Sequence, residues 1–156
     1  MPQFFFEDFS AGQVMEFGPR LVTREEIIDF ASQFDPQPMH LTDEGAKATM
    51  LGTLGASGWH TCAVMMRMAC DGIVLNMASM GAPGIDEVKW MKPMRPNDQL
   101  TLRITVRETR ASRSRPQMGF VVLFQELFNQ KRECIATLQT PLMLERRGAT
   151  TARAGG

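Results

Sequence analysis

The sequence predicts an α+β fold, an antiparallel sheet packed against one long helix. Three observations carry that expectation. Helical periodicity is confined to the first half of the chain. The longest helical pattern, 57–76, is too apolar to be a surface helix with a single buried stripe. The second half alternates apolar and polar residues in runs separated by turn residues, and such segregation of helices from strands along a chain gives α+β.

In order along the chain, 13–22 (QVMEFGPRLV) is β-prone but broken by Gly18-Pro19, which predicts a short, irregular or edge strand. Thr23 opens a helix: Thr at the cap with Glu26 three residues on makes a capping box, and Ile27, Phe30, Ala31 and Phe34 follow at helical spacing. Asp35-Pro36 ends it, because the residue before a proline is pushed out of the α region. Thr42 or Asp43 caps a short second helix, with Ala46 and Met50 expected to face inward. Residues 51–58 (LGTLGASG) hold three glycines in seven positions, a turn or a close backbone approach. In 57–76 the series Trp59, Cys62/Ala63, Met66, Ala69/Cys70, Ile73/Val74 and Met77 marks one stripe, and Trp59, Ala63, Met66 and Ile73 are expected to be buried. Strands are predicted at 85–94, 99–109, 119–128 and 133–144; in the second, Leu100, Leu102, Ile104 and Val106 alternate with polar residues.

With 156 residues the chain is long enough for one domain, expected over 1–145; 146–156 (RRGATTARAGG) has no apolar period and reads as a disordered tail. Seventeen basic residues balance seventeen acidic ones, which argues against a nucleic-acid-binding surface. No apolar run reaches the ~18 residues of a membrane span. The N-terminus carries acids where a secretion signal carries bases. Cys62, Cys70 and Cys134 are widely spaced with no CxxC, so they are expected to be buried thiols in a reducing compartment, the cytosol. No motif calls for a metal or a cofactor. The thirteen methionines read as adaptable core filler.

The chemistry-bearing segment is Asp35-Pro36-Gln37-Pro38-Met39-His40. In an extended chain a carboxylate and an imidazole five positions apart face opposite ways, so the pair can cooperate only if the loop turns. Two prolines would then hold that turn rigid, and the pair could hold and polarise one water. The plainer reading is a helix-ending Asp-Pro and a hydrogen-bonded histidine. The glycine-rich stretch adds a second element: Ser57 is a plausible cap, and Gly58 leaves its N–H uncovered at the positive end of the helix dipole, a place for an anionic oxygen. No Gly-Lys-Ser/Thr follows, so this is not a phosphate loop, and the order Gly-Ala-Ser-Gly is not that of a nucleophile elbow.

Phe30-Ala31, Asp35-x-x-Pro38-x-His40 and the downstream Ala46 resemble the hydratase motif of the MaoC-like acyl dehydratases, which include (R)-specific enoyl-CoA hydratases. Gly52, Ser57-Gly58 and Lys92-Pro93-x-Arg95-Pro96-Asn97-Asp98 follow in that family's order, so the resemblance spans about 5–145. It implies a hot-dog fold, a homodimer, and reversible addition of water to a trans-2-enoyl thioester carried by coenzyme A or acyl carrier protein. It also implies that Asp35 and His40 are the catalytic pair and that the Gly58 N–H, with Ser57 beside it, receives the thioester oxygen. Gln37 stands where the motif has Asn, and Met66 where some members place Ser. Two other readings remain: a thioesterase using Asp71, the one acid within the long helix, and a non-catalytic acyl-binding protein. Asp71 lies ~20 Å along the helix from its start, too far to share the Gly58 oxygen site. His60 reads as structural. Arg107, Arg110, Arg113 and Arg115 are either a solvated hairpin end or a contact for coenzyme A phosphates.

Overall fold

The structure is a computed structural model describing residues 1–149. Its elements are β1 (Val14–Leu21), α1 (Arg24–Phe34), α2 (Asp43–Ala46), α3 (Gly58–Gly72), β2 (Glu87–Trp90), β3 (Gln99–Ala111), β4 (Met118–Phe128) and β5 (Cys134–Glu145). The five strands form one antiparallel sheet in the order β1-β3-β4-β5-β2, and the inner face of the sheet packs on α3.

β1 is the edge strand its sequence predicts. Its register to β3 shifts between Phe17 and Arg20, at Gly18-Pro19, where Pro19 has no N–H to give a ladder. Gly18 sits at φ +123°, and an added Cβ would lie 2.6 Å from the Leu100 carbonyl oxygen, so only glycine fits. The capping box forms as expected: Glu26 N–H donates to Thr23 Oγ1 at 3.2 Å, and Thr23 N–H donates to Glu26 Oε2 at 2.8 Å. Leu100, Leu102, Ile104 and Val106 are all buried. Together with Leu123, Leu127, Ile135 and Leu144 they form the core beneath α3.

Five expectations need correction. α3 runs over Gly58–Gly72, shorter than 57–76. Its buried stripe is Thr61, Val64, Met65, Met68 and Ala69, whereas Trp59, Ala63 and Met66 are exposed; of the four residues expected inside, only Ile73 is. The helix carries apolar residues on two faces, so its period permits either stripe, and the sheet covers one of them. Ala46 is buried as expected, but Met50 is fully exposed because α2 ends after a single turn. The three cysteines are free and half-buried rather than buried. Finally, Arg146 and Arg147, assigned above to the tail, pair with Glu7 and Asp8 at 3.1 and 2.7 Å. Residues 150–156 of that expected tail lie outside the described residues. Among the described residues no helix is long and apolar enough to cross a membrane, and no cluster of metal-ligating side chains is present.

Candidate active site

Asp35 is the C-cap of α1, its N–H donating to the Ala31 carbonyl at 2.9 Å. Beyond it, Pro38–His40 makes one tight 3-10 turn. That turn reverses the chain, bringing His40 Nε2 within 3.5 Å of Asp35 Oδ2. The two residues singled out in the sequence therefore do converge. His40 is buried, and its Nδ1 lies 2.7 Å from the Gly55 carbonyl oxygen. A carbonyl only accepts, so in the neutral ring Nδ1 carries the proton and Nε2 keeps its lone pair. Two acceptors then face each other across 3.5 Å, an arrangement suited to a water that donates one O–H to each.

The Ser57 hydroxyl, then the Gln37 amide, hold the Asp35 carboxyl below the usual aspartate range, against the upward pull of desolvation. Gln37 Nε2 donates to Asp35 Oδ1 at 2.7 Å, so the longer amide still reaches the carboxylate. Ser57, nearly fully buried, also accepts from Trp59 N–H at 3.3 Å. Its hydroxyl thus caps α3 beside Asp35 and Gly58, at the start of the helix. A carbon-13 titration of the aspartate carboxyls should find Asp35 ionising below the ordinary range and, in Ser57→Ala, moving up; an unchanged Asp35 would show that Ser57 does not hold it.

Gly58 begins α3 and lines the same cleft as Asp35 and His40, a space of about 620 Å³. Its N–H finds no protein acceptor among the described residues. A Cβ on Gly58 would sit 2.5 Å from the Trp90 indole, so glycine is what lets that ring lie against the helix start. Trp90 meets Trp59 edge-on, with ring centroids 5.5 Å apart. The loop leading into α3 is clamped by Arg95, whose guanidinium donates to the carbonyls of Leu51, Thr53 and Leu54 at 2.7, 2.6 and 3.2 Å. Gly55, the carbonyl that orients His40, follows directly.

Gly55, Trp90 and Arg95 were not among the residues picked from the sequence. Arg95 lay in the Lys-Pro-x-Arg-Pro element noted there, whereas nothing local marks a backbone carbonyl as the partner of a distant histidine. His60 is buried away from this cleft, its ring stacked on Phe30 at 4.8 Å. Asp71 is exposed, paired with Arg67 at 2.9 Å, and borders a separate groove beside β1. Arg110, Arg113 and Arg115 line an open groove at the β3–β4 hairpin that contains none of the site residues.

Comparison with known proteins matches the MaoC like domain over residues 8–122. A MaoC-like dehydratase from Rhodospirillum rubrum is 32% identical, with 93% of this chain and 99% of that one aligned at a TM-score of 0.84. The uncharacterized protein YdeM of Bacillus subtilis is 24% identical over 140 residues, 90% of this chain and 98% of its own length. The R-hydratase PhaJ1 of Pseudomonas aeruginosa, at 17% identity, shares the fold, with 92% and 87% of the two chains aligned at a TM-score of 0.73. The architecture in common is the hot-dog fold. The chain belongs to the MaoC-like domain family.

Proposed function

We propose that the protein is an acyl-thioester hydro-lyase, adding water reversibly to a trans-2-enoyl thioester of coenzyme A or acyl carrier protein. The observation that carries this reading is the convergence of Asp35, His40 and the free Gly58 N–H on one cleft. The relatives fit it: one is described as a dehydratase and another as an R-hydratase.

Hydration develops negative charge on the thioester oxygen, and an N–H at a helix start opposes that charge; losing one such donor typically costs ~2.7–4 kcal/mol. Asp35, held ionised, orients the water. His40 Nε2 takes the water proton as the hydroxyl oxygen bonds to the β-carbon. The same nitrogen then gives the proton to the α-carbon, returning the site to its starting state. A thioesterase would direct water at the carbonyl carbon instead. Asp71, the acid that reading requires, is bound to Arg67 outside the cleft.

Two further parts of the reading concern context. The exposed Trp59, Ala63 and Met66 face of α3 lies near β2, a sheet edge with one side unpaired. Both are liabilities that a second copy would cover, so the working form is a homodimer. Solution scattering should report twice the chain mass at micromolar concentration; a monomer there would overturn this. The free thiols suit the reducing cytosol, where acyl thioesters of fatty-acid metabolism are handled.

Incubation with crotonyl-CoA, following enoyl absorbance and released thiol separately, tests the reaction. Loss of absorbance without thiol release is expected. Thiol release without hydration would replace the reading with the thioesterase.

A further inference from the structure

A second cavity, of about 430 Å³, lies between α3 and the inner face of β4 and β5. Trp59 borders both this cavity and the catalytic cleft, so the two are neighbours. Its walls are apolar, with Cys62 and Met66 from the helix and Leu123 and Leu138 from the sheet. Two buried polar side chains interrupt them, Gln125 and Thr140. Thr140 is provided for, its hydroxyl donating to the Gly84 carbonyl at 3.2 Å. Gln125 is not: it is 4% exposed, and its Oε1 is buried with no partner.

The position makes that orphan informative. Gln125 sits in the inward row of β4 between Leu123 and Leu127, opposite Ile104 on β3 and Leu138 on β5. Every neighbour in that register is apolar and buried, and a methionine or leucine would fill the place without an unmet hydrogen bond. An amide kept there, in the wall of a cavity, is explained by a group that enters the cavity.

We propose that this cavity receives the substrate's acyl chain and that Gln125 recognises a hydroxyl on it, so that the preferred substrate is a hydroxylated enoyl thioester. The inference rests on the hydro-lyase reading above. A hydroxyl both donates and accepts, so it satisfies either orientation of the amide, whereas a ketone oxygen meets only the NH₂ end. Gln125 lines this cavity and not the catalytic cleft, so the group sits on the chain beyond the reacting carbons. Sites built around a hydrogen bond discriminate strongly against analogues lacking the partner, because their own polar group is then left unpaired.

The test compares a trans-2-enoyl-CoA series of increasing chain length with its ω-hydroxy counterparts by kcat/KM. In parallel, calorimetry follows binding of the saturated, unreactive acyl-CoA and ω-hydroxyacyl-CoA pairs. At the best-fitting length the parent should favour the hydroxylated member by ~10-fold or more in both measurements. Gln125→Met, close in volume but apolar, should abolish that preference, with circular dichroism confirming the fold. Absence of any preference in the parent at every length, which would mean that a buried water meets the amide, overturns the proposal without needing the variant. So does a preference that survives in Gln125→Met. Preferential binding without turnover of any enoyl thioester would defeat the hydro-lyase reading and, with it, the substrate named here, leaving only the recognition of the hydroxyl by Gln125. Turnover without preference would overturn this inference and leave the hydro-lyase reading standing.

Discussion

Asp35→Asn and His40→Ala should each lower kcat for crotonyl-CoA hydration by ~10²-fold or more while the protein stays folded, since each group acts chiefly in the transition state. Asp35→Asn is nearly isosteric and keeps an oxygen within reach of Ser57 and Gln37. It removes the charge that aligns the water and offers the NH₂ of an amide where Oδ2 stood 3.5 Å from His40 Nε2. His40→Ala removes the nitrogen lone pair that faces that carboxylate and leaves the Gly55 carbonyl without its donor, so its folding should be checked separately. Asp71→Asn loses an exposed pair with Arg67, worth little to stability, and should hydrate within a few-fold of the parent. Steady-state rates of the three variants decide the matter. Hydration that survives both cleft substitutions and fails in Asp71→Asn would move the chemistry out of this cleft.

What the sequence made legible was what is written locally. The Thr23–Glu26 capping box and the alternation through Leu100–Val106 are short-range patterns, and both appear where expected. The turn that joins Asp35 to His40 is local too, six residues with two prolines, and its closure could be argued before it was seen. The misplaced stripe on α3 has a different cause. Residues 59, 62, 63 and 66 and residues 61, 64, 65 and 68 satisfy the same period, and the choice between them is made by β3 and β4, elements tens of residues away. Long-range partners were illegible for the same reason. Ser57 announced itself as a cap, but its effect on the Asp35 carboxyl depends on how α1 meets α3. The polar Gln125 was lost in a strand whose flanking inward residues, Leu123 and Leu127, are apolar.

Gly58→Ala is the sharper test of the oxygen site, because alanine keeps the backbone N–H and changes only what surrounds it. The added Cβ would stand 2.5 Å from the Trp90 indole carbons, well inside contact distance. Trp90 is half exposed, so the ring can yield and the fold should survive. It yields at the expense of the cleft it lines, where Trp59, Met91 and the helix start leave it few other places. A misplacement of about 1 Å at a reacting centre is enough to lose ~10² in rate, and Gly58→Ala should lose about that in kcat, with KM moving less. Trp90→Ala in the same background removes the clash and should recover part of the loss. That rescue separates steric displacement from damage to the N–H itself. Full activity in Gly58→Ala would mean that the thioester oxygen is held elsewhere, because no substrate could approach that N–H past a methyl group and a displaced indole without registering both.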